Sequence, residues 1–232
     1  MKKDVACIIH EIKKHGNEKN RQGMKRFGIN VQKAFGVSIN VLRDIAHDIG
    51  KDHLLAVELW GTGFHEARLL AGLIDDATLV TVPQMESWVK DFDSWDVCDM
   101  CCGNLFDKTK YAYVKAIEWT TRKEEFVKRA GFVLMATLAV HDKKASDSEF
   151  ITFFPMLIRE STDERNFVKK AVNWALRQIG KRNMNLNKKA ILLSEEIHLS
   201  DSKAARWIAA DALRELKSSN VLNRLKTKDI LH

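Results

Sequence analysis

Phe167-Val168-Lys169-Lys170-Ala171-Val172-Asn173-Trp174-Ala175-Leu176-Arg177 reads as one helix. Val168, Ala171, Val172, Ala175, Leu176 and, a turn further on, Ile179 recur at helical spacing and form one apolar stripe. About 40 residues upstream, Phe126-Val127-Lys128-Arg129-Ala130 opens another helix in the same way. About 40 residues downstream, Asp211-Ala212-Leu213-Arg214 echoes Trp174-Ala175-Leu176-Arg177, and Phe64-His65-Glu66-Ala67-Arg68-Leu69-Leu70 is a weaker relative. A helix pair of that length cannot bury its apolar face alone, so neighbouring pairs stack and cover one another. The expected fold class is all-α: a HEAT-like or armadillo-type helical repeat solenoid with a concave basic groove.

The rest of the chain agrees with this reading. Helical periodicity falls near 3–15, 40–49, 51–60, 64–76, 83–92, 95–106, 109–119, 123–140, 147–159, 164–181, 187–196 and 202–217. Pro83 stands where a helix start tolerates it, and Ser161-Thr162-Asp163 and Ser200-Asp201-Ser202 resemble N-cap regions. Residues 16–38 carry four glycines and little periodicity, so they read as broken helix or loop. With 2 prolines and 11 glycines, the chain lacks the regular turn signals of an all-β fold. No linker rich in Pro, Gly or Ser appears, and residues 1–232 read as one domain.

Composition narrows the partners. The chain carries a net charge of +7 and a pI near 9.2, spread over pairs such as Lys25-Arg26, Lys128-Arg129 and Lys181-Arg182. That balance suits a polyanion, and equally a solvated basic surface. Cys98, Cys101 and Cys102 crowd one helix, with no second ligand cluster at zinc spacing, so they read as core thiols of a reduced, cytosolic protein. No apolar run approaches the ~18 residues of a membrane span, and no signal peptide is apparent.

Several unusual side chains avoid the apolar stripes. Trp174 lies roughly 130° from the centre of its helix's stripe, beside Lys170 and Arg177. Trp95 and Asp99, one turn apart in Trp95-Asp96-Val97-Cys98-Asp99, share a flank of theirs. Arg129 flanks Phe126, Ala130 and Val133. Such faces either pack on the next repeat or line one groove. A basic groove set with tryptophan suits a nucleic-acid strand. A carboxylate opposes binding there, which points to chemistry.

Ser94-Trp95-Asp96-Val97-Cys98-Asp99, the segment Phe167 to Arg177, and Phe126-Val127-Lys128-Arg129-Ala130 together resemble the AlkD-like family of DNA alkylation repair glycosylases, over roughly residues 10–217. The resemblance implies hydrolysis of the N-glycosidic bond of cationic N3- and N7-alkylpurines in duplex DNA. It implies Asp99 as the catalytic carboxylate, Trp95 and Trp174 on the lesion-bearing strand, and Arg129 on phosphate. Lys170, Arg177 and Arg43 are further phosphate candidates. Neither metal nor other cofactor is expected, nor a membrane. With no heptad run the expected state is a monomer, placed in a bacterial-type cytosol and associated with the nucleoid. Two departures stand out: Phe27 where the family often has tyrosine, and Gly36-Val37-Ser38-Ile39-Asn40-Val41-Leu42-Arg43 without the family's turn proline.

Other chemistries find no support. Gly61-Thr62-Gly63 lacks the lysine of a phosphate loop, His65-Glu66 lacks the second histidine of a zinc protease, and the eight histidines are scattered as surface or packing groups. The competing reading is a non-catalytic HEAT-like scaffold that binds nucleic acid or an acidic protein through the same groove.

Overall fold

Helix starts are fixed by side chains that accept otherwise unpaired N–H groups. Asp4 accepts from Cys7 (2.8 Å), Asn17 from Asn20 (3.0 Å), Asp52 from Leu55 (3.0 Å) and Asn183 from Leu186 (2.8 Å). The computed structural model describes residues 4–230, apart from the side chains of 228–230. The first residue of the helix expected at 3–15 and both ends of the expected domain lie outside the described residues.

The helices are α1 (Val5–Lys14), α2 (Glu18–Arg26), α3 (Ile39–Ile49), α4 (His53–Gly61), α5 (His65–Ile74), α6 (Val82–Lys90) and α7 (Trp95–Asn104). They continue as α8 (Ala112–Trp119), α9 (Glu125–His141), α10 (Asp147–Ile151), α11 (Phe154–Glu160), α12 (Asn166–Gly180), α13 (Met184–His198), α14 (Lys203–Leu216) and α15 (Ser219–Ile230). A 3-10 turn at Phe106–Lys108 follows α7, and no strand occurs among the described residues. Three expectations change. Residues 16–38 contain a whole helix, α2, which has no buried residue and so no apolar stripe to betray it. The helix expected at 147–159 is two, because Pro155 cannot continue a helix and instead sits in the first turn of α11. Beyond 217 the chain forms α15.

Packing divides the chain into two compact units, the first ending at Tyr111 and the second beginning at Ala112. No linker marks the junction, which falls at the first residue of α8.

In the first unit, α5 and α7 run side by side in the same direction. His65 meets Asp96 at their starts, and further along a Cβ on Gly72 would stand 3.4 Å from the Cys101 Cα. That approach buries Val97, Cys98, Cys101 and Cys102. Trp60 and Trp88 stack with centroids 4.0 Å apart at 4°, a large apolar area removed from water.

In the second unit the same parallel arrangement repeats. Arg129 Nη1 donates to the Phe167 carbonyl (2.7 Å), and Arg182 Nη1, just past α12, donates to that of Ala139 (3.2 Å), so α9 and α12 run together. Asn173 Nδ2 donates to the Ile208 carbonyl (3.2 Å), and Lys181 pairs with Glu215 (2.7 Å), so α14 follows α12. The partner helices of α9 and α12 come close at glycines, and a Cβ on Gly180 would lie 2.9 Å from the Ala190 Cβ of α13. A Cβ on Gly131 would lie 2.9 Å from the Ala116 carbonyl of α8.

Candidate functional site

The helix that carries Trp95 and Asp99 is held at its first turn. Ser94 occupies the N-cap without a capping hydrogen bond. Asp96 works in its place: Oδ1 accepts the Val97 N–H at 3.0 Å, and Oδ2 lies 2.9 Å from His65 Nε2. His65 is 5% exposed. Burial by itself would lower its pKa; the Asp96 carboxylate, helped by Glu66 and Asp93, outweighs burial and raises it. Asp96 is thus a helix-start residue that also locks α7 onto α5. Trp95 and Asp99 are both half-buried, one turn apart on the flank, while Cys98 and Cys102 between and beyond them are buried. Burial drives the Cys101 and Cys102 thiols well above their ordinary range, so they are neutral packing groups.

Trp95 is fastened from a distant segment. Its indole N–H donates to the Phe27 carbonyl at 3.0 Å. Phe27 is the C-cap of α2, and the residue is 72% exposed. Between α2, the following loop and Trp95 lies a pocket of about 630 Å³. Hydrogen bonds tie its walls to the rest of the unit. The buried Glu66 carboxylate accepts N–H groups from Phe35 (2.9 Å), Gly36 (2.7 Å) and Val37 (3.2 Å). Arg21 Nε donates to the Val31 carbonyl (3.2 Å), and Asn20 Nδ2 to that of Gly36 (3.3 Å). Gly36 has φ 80°, and a Cβ there would meet the Asn17 carbonyl at 2.2 Å, so only glycine fits. Arg43, also in this unit, is exposed on α3.

The remaining expected residues belong to the second unit. Trp174 is half-buried between buried Asn173 and Ala175, and Lys170 is exposed one turn earlier. The other two cations differ from expectation. Arg129 is 5% exposed and spends Nη1 on the Phe167 carbonyl. Arg177 Nη1 lies 2.7 Å from Glu215 and 3.5 Å from Asp211, so a phosphate there would compete with two carboxylates. Both arginines tie α12 to its neighbours. Burial raises the Glu215 pKa, but Lys181 and Arg177 outweigh it and hold the carboxyl below its ordinary value.

The structure therefore groups Trp95, Asp99 and Arg43 in one unit and Trp174, Lys170, Arg129 and Arg177 in the other. It also brings Lys19 and Arg26 around the pocket beside Phe27 and pairs His65 with Asp96, partners that no local spacing reveals. Among the described residues no group of three or more His, Cys, Asp or Glu is placed to hold a metal ion. No helix among them is long and apolar enough to cross a membrane.

An all-α repeat fold whose second helices stack in parallel, with an indole and a carboxylate on one flank, defines a class; sequence and structural relatives define the family. The model of the DNA alkylation repair enzyme family matches residues 8–216, and the chain belongs to that family. Its fold is similar to that of a solved protein from a new family related to the HEAT-like repeat DNA glycosylases with affinity for branched DNA structures. The two are 21% identical over 91% of this chain and 95% of that one, with a TM-score of 0.76. The architecture is thus the HEAT-like repeat. An engineered protein (15% identity, 87% of this chain and 98% of that one, TM-score 0.40) and a designed armadillo repeat protein (14%, 77% and 92%, TM-score 0.38) are more distant. No curated protein sequence is significantly similar to the chain.

Proposed function

We propose that the protein is a DNA glycosylase that hydrolyses the N-glycosidic bond of cationic N3- and N7-alkylpurines in duplex DNA. One observation carries the reading: Asp99 keeps a half-buried carboxylate one turn from Trp95, off the apolar face of α7, in a member of a DNA alkylation repair family.

The chemistry suits a single carboxylate. An alkylated purine already bears positive charge, so it leaves as a neutral base when the C1′–N bond breaks and its electrons return to the ring. Positive charge then develops on the deoxyribose, as in other glycoside cleavages. Asp99 stabilises that charge and orients the water that adds to C1′, taking its proton. Neither metal nor other cofactor enters these steps. Trp95 and Trp174 hold the strand and offer cation–π contact. Lys170 and Arg43 neutralise phosphates. Arg129 and Arg177 act through position, keeping α12 and Trp174 in register.

A second reading has its own support. The 21% identical structural relative belongs to proteins with affinity for branched DNA; on that reading the chain binds junctions without cleaving a base. Incubation with duplex DNA carrying N7-methylguanine or N3-methyladenine separates the two. Base release by the wild type and its loss in Asp99→Asn, with DNA binding kept, supports the enzyme. Binding without release by the wild type supports the junction binder.

A further inference from the structure

The pocket beside Trp95 is built like a ligand site. Met24, Ile29 and Val37 line it with apolar surface, alongside Trp95 and the exposed Phe27. Lys19 and Arg26 line it, and no carboxylate does. The acidic side chains close by in sequence are already engaged. Glu18 lies 3.3 Å from Arg21, and Asp93 accepts from Asn30 (2.8 Å) and lies 3.6 Å from Arg68. Its volume, about 630 Å³, falls in the ~300–1,000 Å³ range of small-molecule sites. Phe27 is the most telling feature. A phenylalanine 72% exposed to water contributes little to its own fold, and aromatic rings in a cationic pocket are what a nucleobase stacks on.

We propose that this pocket receives one unpaired nucleotide of a DNA strand, its base on the apolar surface alongside Phe27 and Trp95 and its phosphate on Lys19 and Arg26. The proposal rests on the reading of the chain as a DNA-binding protein; it does not need Asp99 to cleave anything. Unpairing a base is unfavourable in duplex DNA and costs almost nothing at a bulge. Stacking on an aromatic side chain strengthens binding by roughly 5- to 150-fold per base. A duplex that presents an unpaired nucleotide therefore gains affinity here over one that does not.

The pocket can be closed without disturbing the fold. A Cβ at Gly23, on the pocket side of α2, meets nothing within 4 Å, so Gly23→Leu fills the space and favours the helix. The test measures binding of the full chain to a paired duplex and to the same duplex with a one-nucleotide bulge. The NMR signal of the Trp95 indole N–H is followed in parallel, assigned by its absence in Trp95→Phe. Adenosine 5′-monophosphate and inorganic phosphate serve as small probes.

The bulged duplex is expected to bind the wild type about tenfold more tightly than the paired one. It should shift the Trp95 signal, and the preference should vanish in Gly23→Leu and shrink in Lys19→Ala/Arg26→Ala. An equal affinity for both duplexes, or a bulge preference that survives Gly23→Leu, overturns the proposal. A shift with the mononucleotide and no bulge preference assigns the pocket to free nucleotide and overturns the strand role; a shift with phosphate alone reduces it to an anion site. If bulge preference is found and no alkylated base is released, the glycosylase reading fails and this one stands.

Discussion

His65 and Asp96 close the first turns of α5 and α7 on each other, with Nε2 2.9 Å from Oδ2 and the histidine almost wholly buried. The carboxylate pairs with the imidazolium, so the folded protein holds the proton more tightly than the unfolded chain, where histidine titrates near 6.5. The stability gained is complete below that pH and is lost as pH rises through the higher folded value. Urea unfolding between about pH 5.5 and 8.5 should show wild-type stability falling across this window relative to His65→Gln. A flat difference would show that the pair does not couple folding to the histidine's proton.

Asp99→Asn keeps the shape of the carboxylate and removes its charge. Single-turnover release of N7-methylguanine is expected to drop by about 100-fold or more, the scale of losing one group that stabilises transition-state charge. Affinity for the same duplex should hold or rise, since a negative charge leaves a DNA-binding surface.

The basic residues divide by their partners. Lys170→Ala and Arg43→Ala, both exposed, should each lower the salt slope of DNA binding by about 1. Arg177→Ala should leave that slope nearly unchanged and instead lower thermal stability, because its guanidinium answers Glu215 and Asp211. A slope change for Arg177→Ala equal to that of Lys170→Ala would restore it as a phosphate ligand.

Glycines 23 and 36 predict opposite signs. Gly36→Ala forces a Cβ to 2.2 Å from the Asn17 carbonyl at φ 80°, which should cost about 1–3 kcal/mol. Gly23→Ala sits in α2 with open space around it and should gain about 0.5–1 kcal/mol. Thermal melts of the two variants check both values.

Glu215 behaves inversely to His65. Lys181 and Arg177 outweigh burial and depress its folded pKa below the unfolded value near 4.3. Its contribution is present above that value and disappears as pH falls through the folded one. Glu215→Gln should therefore narrow the stability gap between neutral and acid pH, read by denaturant unfolding at each.

Much of this was legible in the chain. The three- and four-residue recurrence around Trp174 and the echo of Phe126–Ala130 in Phe167–Ala171 point to the helix stack, because both periodicity and repetition are local. Trp95 and Asp99 are visible as a pair for the same reason. What escaped depends on partners far along the chain. A wheel places Arg129 beside its own stripe, but it cannot see the Phe167 carbonyl that draws the guanidinium inward. Nor can it see Glu215 and Asp211, two helices further along on α14, that meet Arg177. Phe27 and Trp95 lie 68 residues apart and meet through a single hydrogen bond. Helix α2 was missed because the signal used to find helices is a buried stripe, and this one buries nothing.

That last property sets the order in which the molecule comes apart. Helix α2 is retained by its Asn17 cap and by the Arg21 and Asn20 bonds to the loop beneath it, with no side chain sunk in the core. Twelve residues of α9, by contrast, are buried. Amide exchange should release α2 at an opening free energy well below that of global unfolding, and α9 only with the whole unit. A trypsin-like protease acting on the native protein should cut first at Lys25 or Arg26, taking one wall from the pocket while the rest of the stack stays folded.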